Sequence, residues 1–491
     1  MTLPELDAIV VGAGPNGLAA AVTLARAGLS VRVYERADTI GGGARTAELT
    51  LPGFHHDVCS AVHPLALASG FFRRFELERR IELVVPELSY GHPLDGGRAG
   101  LAWRDLDRTV AELGADGPAY RRLIGPLVER ADRVAQFTGS SLLQLPRHPS
   151  TALKFGLRSI EQGTGMWHHR FSGQKAPAML TGVAAHVMQP MPSLATAGTA
   201  LALGTYAHAR GWAVPIGGSQ AIVDALADDL RAHGGEIVTG AEVVSLDELP
   251  AARAVLLDLT PAALLRLAAA RLPTAYANAL QRFRYGNAVA KVDFALSGPV
   301  PWANADLRQA GTLHVGGTRA EIAAAEAEVD AGRHSASPYV LVAQPSISDV
   351  GRAPAGQQVL WTYTHVPRGS TIDQTEHITR QLERFAPGFR DLILASASKT
   401  AIEMERENPN YVGGDIGGGA VSLAQLLARP VLSSDPWRTP AAGVYLCSAS
   451  TPPGGGVHGL AGYHAARSAL RHEFGITAGP SLAIGTERSV R

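Results

Sequence analysis

A glycine-rich turn between two short apolar strands is the feature that most restricts the fold of this chain. Residues 7–11 (DAIVV) read as a buried strand, and G-A-G-P-N-G follows directly at residues 12–17. An Ala- and Leu-rich helix is predicted over residues 18–27, and a second strand over residues 30–34 ends at Glu35. Strand, G-x-G-x-x-G, helix, strand and acid, in this order, make up a complete dinucleotide-binding unit.

Each part of this unit has a physical role in holding a diphosphate. Gly12 permits the tight turn, Gly14 lets the backbone approach the pyrophosphate, and Gly17 lets helix and strand pack closely. Free N–H groups at the helix N-terminus face the phosphates. Glu35, eighteen residues after Gly17, is placed to accept hydrogen bonds from the ribose hydroxyls of an adenosine.

A second glycine cluster follows Glu35 and bears on which dinucleotide binds. Residues 35–46 fit the pattern E-x-x-x-x-x-G-G-x-x-x-T. This pattern resembles an extension of the motif found in FAD-dependent amine oxidases and phytoene desaturases. By that resemblance Arg45 would lie near the diphosphate, and the alternative interpretation is an ordinary surface loop.

The C-terminal part of the chain contains a third glycine loop. A strand is predicted over residues 443–447 and a helix over residues 460–473, with S-A-S-T-P-P-G-G-G-V-H-G between them. Residues 454–459 match G-x-G-x-x-G, but too few residues follow for another strand and acid. We interpret the loop as the backbone and helix N-terminus beneath a flavin ring, where N–H groups stabilise negative charge. An unrelated helix cap is the alternative.

Residues 212–257 supply a further part of the same domain. A helix is predicted over residues 220–233, a strand-like stretch over residues 236–246 and a strand over residues 255–257. We place the backbone of Val243 at the adenine.

Taken together, the motifs resemble the phytoene-desaturase-like FAD-dependent oxidoreductases, in the branch of pyridine nucleotide-disulfide oxidoreductase domain-containing protein 2. The resemblance covers about residues 7–473. The segments that carry it are GFHHDVCSAVHP (53–64), HVMQP (186–190), WTYTHVP (361–367), RFAPGF (384–389), NPNYVGGD (408–415) and YLCSASTPPGGGVHG (445–459). It implies non-covalently bound FAD. No C-x-x-C motif occurs, so a thiol–disulfide reaction is not expected.

The resemblance and the residue patterns together give the expected fold class, α/β plus α+β. A discontinuous Rossmann-like FAD-binding domain of the glutathione-reductase/amine-oxidase type is expected at residues 1–70, 207–260 and 436–477. An interleaved sheet-plus-helices substrate domain is expected at residues 71–206 and 261–435, with residues 71–206 mostly helical, and residues 478–491 as a flexible tail. Only DELPAAR (247–253) separates two strands between which most relatives insert a hairpin, which puts their small β-meander in doubt here.

The residues predicted to bind the cofactor lie in the three glycine loops, in the segment after Cys59, and at the adenine position. They are Gly12, Gly14, Pro15, Asn16, Gly17, Glu35, Arg36, Gly42, Gly43, Arg45, Ser60, Ala61, Val243, Ser448, Ala449, Gly456, Val457 and His458.

Candidate acids and bases are few, because the flavin itself carries the redox step. Trp361, Tyr363 and His365 alternate on one strand face, which predicts a pocket wall with Tyr363 or His365 as acid or base. A half-buried sheet face is the alternative. His458 and His63 are further candidates, with structural roles as alternatives. His186 is interpreted as core or pocket wall, and no metal site is expected.

Composition excludes several other functions. Forty-four basic and 44 acidic residues give no net field that would attract nucleic acid. No apolar window is long enough to span a membrane, and two cysteines fit a reducing, cytoplasmic location.

The sequence therefore predicts an FAD-dependent oxidoreductase that desaturates or oxidises an apolar or conjugated small molecule by hydride transfer to flavin N5. Oxygen, a quinone or another acceptor would take up the electrons, and the sequence does not identify which. A redox-neutral flavin-dependent isomerase and a flavin-binding scaffold protein are the alternatives. Peripheral membrane contact and homo-oligomer formation are left open.

Overall fold

The computed structural model describes residues 6–485 of the chain. Its strands are β1 (Leu6–Val11), β2 (Val31–Tyr34), β3 (Thr46–Glu48), β4 (His55–Asp57), β5 (Leu83–Val84), β6 (Leu88–Leu94), β7 (Arg98–Trp103), β8 (Val214–Pro215), β9 (Glu236–Val238), β10 (Ala252–Leu257), β11 (Ala288–Leu296), β12 (Thr312–Val315), β13 (Val340–Ala343), β14 (Gln358–Val366), β15 (Ile393–Lys399) and β16 (Val444–Leu446). Its α-helices are α1 (Pro15–Arg26), α2 (Gly70–Phe75), α3 (Leu106–Glu112), α4 (Gly117–Val128), α5 (Ala131–Thr138), α6 (Pro149–Gln162), α7 (Lys175–Ala184), α8 (Leu194–Ala209), α9 (Gln220–Ala232), α10 (Pro261–Ala268), α11 (Thr274–Gln281), α12 (Arg319–Asp330), α13 (Thr375–Phe385), α14 (Ala401–Glu407), α15 (Leu423–Leu427) and α16 (Leu460–Phe474).

A five-stranded parallel sheet, in the order β16–β10–β1–β2–β9, carries the N-terminal glycine loop. Val10 of β1 lies opposite Val33 of β2 and Leu256 of β10. Helices α1, α9 and α16 cover one face of the sheet, and α10 covers the other. Because both faces are covered, the central strands are apolar at almost every position, as in other parallel sheets.

Helices α1 and α16 cross in close contact within their first turns. Gly462 lies at the crossing, where a Cβ atom would come 1.8 Å from the carbonyl oxygen of Asn16. Gly459, with φ 65°, is the N-cap of α16, and a Cβ atom there would come 2.5 Å from the Phe71 ring. The N-termini of the two helices therefore lie beside one another, and each follows a glycine loop.

A seven-stranded sheet, in the order β15–β11–β14–β13–β12–β6–β7, forms the second layer. Its pairs are antiparallel except for β12 with β6, which meet at Leu313 and Gly91. One face packs on α13 through an apolar core that includes Phe294. Trp361 and Tyr363 of β14 lie on the opposite face, as their alternation predicts.

Several strands have no counterpart in the sequence patterns, among them β6, β7 and β15. β6 and β7 form a hairpin inside residues 71–206, which the pattern predicted to be mostly helical. Gly91 and Pro93 interrupt β6, so its apolar run is short and irregular. The middle of β15 is Ala-Ser-Ala-Ser (395–398), and these small residues leave little periodic signal in the sequence.

Two expected boundaries differ from the structure. Phe71 and Phe75 of α2 are buried in the core of the five-stranded sheet, so the first segment of that domain extends beyond residue 70. The expected flexible tail is docked in its described part: Leu482 is buried, and Arg26 donates a 2.8 Å hydrogen bond to the Ala483 carbonyl oxygen. Residues 486–491 of the expected tail lie outside the described residues.

The segment between β9 and β10, where the short sequence puts a meander in doubt, contains none. Residues 239–251 contain a single 3₁₀ turn, Leu246–Glu248, and no strand. The strand-like stretch predicted over residues 236–246 forms a strand only at Glu236–Val238.

Replacing Gly462 tests the helix crossing. Gly462→Ala places a methyl group against the α1 backbone, and we expect a loss of about 1–3 kcal/mol in the free energy of unfolding. Gly156→Ala is the matched control, because Gly156 also lies inside a helix but has no atom within 4 Å of a built Cβ. Denaturant unfolding measures both, and equal stability of the two variants would contradict the crossing.

Candidate active site

A continuous cavity of about 1090 Å³ runs between the two sheets. One part, the glycine-loop half, is lined by the loops after β1, β2 and β16 and by the Asp258 segment after β10. The other part, the sheet half, is lined by α5, α6 and α8, by residues 186–188, and by the face of the seven-stranded sheet that carries Trp361 and Tyr363. A ligand that spans the first half therefore presents its end to the second.

The glycine loop after β1 has the geometry of a diphosphate cradle. Gly12 adopts φ 101°, a conformation that favours glycine, and a Cβ atom at Gly17 would come 2.0 Å from the Gly12 carbonyl oxygen. Among residues 6–485, the N–H groups of Gly14 and Asn16 have no hydrogen-bond partner, and Asn16 Oδ1 is buried without one. Unpaired donors at a helix N-terminus attract an anion, so the loop fits the phosphates of FAD.

Glu35 lies where the sequence predicts a ribose-binding acid. Its carboxylate oxygens accept hydrogen bonds from the N–H groups of Ala13 (2.8 Å) and Ala37 (2.9 Å). A carboxylate has about four acceptor sites, so capacity for ribose hydroxyls remains. Val243 also lines the cavity, and its contact with the adenine stays a prediction.

Residues from distant parts of the chain fix the second glycine cluster (residues 41–43) against the first glycine loop. Arg45 donates to the Gly42 carbonyl oxygen (2.9 Å) and pairs with Glu407 (2.7 Å). A Cβ atom at Gly43 would come 1.9 Å from the Tyr411 hydroxyl oxygen. Part of the Arg45 charge is therefore compensated by Glu407, and the side chain also serves to close the loop.

A buried arginine organises the C-terminal glycine loop. The Arg429 guanidinium donates to the Ala449 carbonyl oxygen (2.8 Å) and to carbonyl oxygens of Gly417 (3.0 Å) and Gly418 (3.1 Å). Burial lowers the pKa of Arg429 to about 10, so the side chain remains cationic at neutral pH. The loop predicted to lie beneath the flavin ring thus carries a fixed positive charge.

All predicted cofactor-binding residues except Gly17 line the cavity. Gly17 lies behind the loop, where its N–H group donates to Asp258 Oδ2 at 2.9 Å. The structure places the predicted set together, and their contacts with FAD stay a prediction.

The structure separates the predicted catalytic residues. His365 does not line the cavity: it is buried behind Tyr363, and its Nδ1 lies 2.6 Å from Glu326 Oε1. Tyr363 does line the cavity, and burial raises the pKa of its hydroxyl well above the usual range. Tyr363 therefore stays protonated, and an acid–base role for His365 does not fit its position.

His458 lines the cavity but has no free nitrogen. Its Nε2 lies 3.1 Å from the Gly454 carbonyl oxygen, and its Nδ1 accepts a 3.0 Å hydrogen bond from the Leu460 N–H group. Burial lowers its pKa to about 4, so the ring is neutral. His458 fixes the conformation of the loop, and the predicted catalytic role is not supported by this geometry.

His63 is held in a similar way. Its Nε2 lies 2.9 Å from the Ser219 hydroxyl oxygen, and Ser219 in turn donates to the Ser60 carbonyl oxygen. Its Nδ1 is enclosed without a partner among the described residues, and burial lowers its pKa to about 4. His63 therefore positions the Ser60–Ala61 segment, and it has no accessible nitrogen for proton transfer.

Sequence reasoning missed three contributors to the site, which are Asp258, Arg429 and residues 407–411. Asp258 directly follows β10, and the carboxyl ends of parallel strands meet at the ligand edge of such a sheet, so this signal was available. The NPNY segment was noted only as a resemblance. Asn410 Nδ2 donates to the Asp258 carbonyl oxygen at 2.8 Å, and this bond holds the NPNY segment beside the glycine loop.

The elevated pKa of the Asp258 carboxyl predicts that dinucleotide binding depends on pH. Burial raises its pKa from 3.8 to about 7, and the nearby charge of Glu35 acts in the same direction. A carboxyl whose pKa is raised on folding lowers the stability of the protein as pH rises from about 4 to about 7, because over this range the unfolded state releases its proton whereas the folded state keeps it. Above that range a negative charge lies beside the glycine loop.

We expect FAD to bind more weakly as pH rises through about 7, since the Asp258 carboxylate repels the diphosphate. If FAD raises the Asp258 pKa by one unit, the dissociation constant rises about tenfold across the transition. Asp258→Asn keeps the acceptor for Gly17 and should remove the pH dependence. Titration of the FAD-free protein with FAD between pH 5.5 and 8.5 measures both.

Asp415→Asn is the matched control for this titration. Asp415 is a buried carboxyl that accepts N–H groups of Gly286 and Gly417 but does not line the cavity. Asp415→Asn should keep the native pH dependence of FAD binding. If Asp258→Asn also kept it, Asp258 would not be the group that causes it.

Comparisons with known proteins agree with this geometry. Residues 10–75 match the model of the NAD(P)-binding Rossmann-like domain. Pyridine nucleotide-disulfide oxidoreductase domain-containing protein 2 of Rattus norvegicus is 29% identical over 95% of this chain and 94% of its own length.

Two solved structures share the whole fold. Putrescine oxidase bound to putrescine is 19% identical with a TM-score of 0.59, over 96% of this chain and 99% of its own. Cyclohexylamine oxidase from Brevibacterium oxydans is 17% identical with a TM-score of 0.57, over 95% and 99%. These findings confirm the predicted fold class and agree with the prediction of an FAD-dependent oxidoreductase. The chain is thus similar over nearly its full length to pyridine nucleotide-disulfide oxidoreductase domain-containing protein 2, and it has the fold of the amine oxidases.

Proposed function

We propose that the chain binds FAD in the glycine-loop half of the cavity and oxidises a neutral, largely apolar small molecule in the sheet half. The observation that carries this proposal is the continuity of the cavity, which joins three glycine loops to an aromatic wall. The reaction is the desaturation or oxidation of a C–C or C–N bond. FAD would supply the hydride acceptor, and the chain binds, orients and dehydrates the substrate.

The lining of the sheet half supports a neutral, apolar substrate. Aromatic and aliphatic side chains dominate it, among them Phe137, Leu142, Phe155, Ile160, Leu203, Tyr206, Trp212, Leu341, Trp361 and Tyr363. The carboxylates that line the cavity, Glu35, Glu242, Asp258 and Glu407, belong to the glycine-loop half. A cationic amine would lose its hydration in the sheet half without a counter-charge from the described residues, which disfavours it as substrate.

The proposal is tested by the absorbance of the purified protein after addition of FAD, followed by anaerobic exposure to neutral apolar compounds. We expect bound flavin, and bleaching of its band by at least one alkene, ketone or uncharged amine, with loss of that bleaching in Trp361→Ala. Cationic amines of the same size serve as the matched compounds and should not bleach it. Bound flavin that no compound reduces would favour the isomerase or the scaffold protein. Absence of bound flavin would contradict the proposal.

We also propose that α6 and the segment before it contact an anionic membrane surface. Leu145, Leu153 and Leu157 are 94%, 65% and 58% exposed, and they form an apolar surface with the nearby Ile160. Arg147 and Lys154 are exposed beside them. Interfacial helices combine such apolar residues with cationic ones, which favours anionic lipid.

This surface adjoins the cavity. Phe155 and Ser159 on the buried side of α6 line the cavity wall, and Ile160 belongs both to the wall and to the exposed set. Among residues 6–485, no helix is long and apolar enough to cross a bilayer. The contact proposed is therefore peripheral, and an apolar substrate dissolved in lipid would reach the cavity along α6.

Leu153→Ser combined with Leu157→Ser tests the membrane contact. We expect the native protein to sediment with phosphatidylglycerol/phosphatidylcholine vesicles, and the variant to bind them at least tenfold more weakly, because each leucine that becomes buried in the lipid contributes about 1.5–3 kcal/mol. Leu394→Ser combined with Leu432→Ser is the control, since both leucines are exposed elsewhere. No binding by the native protein, or equal binding by both variants, would contradict the proposal.

A further inference from the structure

A half-buried histidine and a fully buried one form a pair at the sheet half of the cavity. His186 lines the cavity, and its Nε2 lies 2.9 Å from Nε2 of His314 on β12. His314 is fully buried, and its Nδ1 has no hydrogen-bond partner among the described residues. His186 Nδ1 bonds no described residue and is not enclosed, so it is accessible from the cavity that the side chain lines.

The pair is surrounded mainly by aromatic rings. The His314 ring lies 5.1 Å from the Tyr90 ring, 5.7 Å from the Trp212 ring and 6.3 Å from the Tyr339 ring. Burial lowers the pKa of His186 to about 3 and that of His314 well below its usual value. Both rings are therefore neutral near pH 7, and each carries one N–H group.

Hydrogen-bond accounting selects between the two arrangements of these protons. If His186 donated to His314, the proton of His314 would lie on Nδ1, a buried donor without an acceptor. If His314 donates to His186, only an unpaired lone pair remains on His314 Nδ1. Buried N–H groups without a partner are the rarer and costlier case, so His314 donates. The proton of His186 then lies on Nδ1.

We infer that the His186 Nδ1–H group is a hydrogen-bond donor in the substrate cavity, held in place by His314, and that it selects apolar molecules that carry a neutral acceptor oxygen, a carbonyl or hydroxyl. This inference rests on the proposed function for the site, and it narrows the substrate class. A pure hydrocarbon would leave the donor without a partner after water is displaced. A carboxylate would lose its hydration in a half of the cavity that holds no cationic side chain from the described residues.

Matched ligands of equal chain length test the donor. The FAD-loaded protein is titrated with dodecan-2-one, dodecane and dodecanoate, followed by tryptophan fluorescence, because Trp212 and Trp361 line the cavity. His186→Leu combined with His314→Leu removes both partners, so that neither is left buried alone. We expect the ratio of the dodecane to the dodecan-2-one dissociation constant to fall about three- to tenfold in this variant, the range of one hydrogen bond.

His314→Gln is the conservative control. The Gln amide can still donate to His186 Nε2, so the ketone preference should be retained, and melting curves check that both variants are folded. An equal ratio in native and double-variant protein, or tighter binding of dodecanoate than of dodecan-2-one, would overturn the inference. If no FAD is retained, the same titration on the FAD-free protein still decides the donor, while the proposed function fails separately.

Discussion

The contact of α1 with α16 is the constraint on which the rest of the structure depends. With only a hydrogen atom at Gly462, the helix backbones approach so closely that a methyl group would overlap the Asn16 carbonyl oxygen. Both helices begin directly after glycine loops, so their positive dipole ends are directed at the same cavity. Two segments more than 400 residues apart in sequence thereby form one anion-binding and ring-binding surface.

The buried histidines show how local hydrogen bonding decides the role of a side chain. Both ring nitrogens of His458 form hydrogen bonds with backbone groups next to it in sequence, and His63 is bonded to Ser219. In His186, Nε2 is bonded to His314 and Nδ1 is accessible. Of the three histidines in the cavity wall, His186 is therefore the one that can form a hydrogen bond with a ligand. All three are neutral because burial disfavours the charged form, so none brings a cation to the substrate.

The sequence predicts the glycine loop, β2 and Glu35 because their signals are local. A short strand, a fixed glycine spacing and an acid all occur within the first forty residues of the chain. The fold class followed for the same reason. Arg429 could not be predicted, since its role depends on carbonyl oxygens of residues 417–420 and 449 that converge only in the folded chain. His365 was misplaced because strand alternation gives the face of a residue but not its depth, and Tyr363 lies between it and the cavity.

The distribution of charge divides the site into two parts with different tasks. Arg45, Asp258, Glu407 and Arg429 all lie in the glycine-loop half, where polar contacts can hold a dinucleotide of fixed chemistry. The sheet half has no ionised side chain among the described residues and a single accessible imidazole nitrogen. Affinity there comes mainly from apolar burial, which is tolerant of shape, whereas orientation depends on one hydrogen bond. Such a site can accept molecules of varied carbon skeleton while it holds each by the same oxygen, so the bond presented to the cofactor is set by its distance from that oxygen.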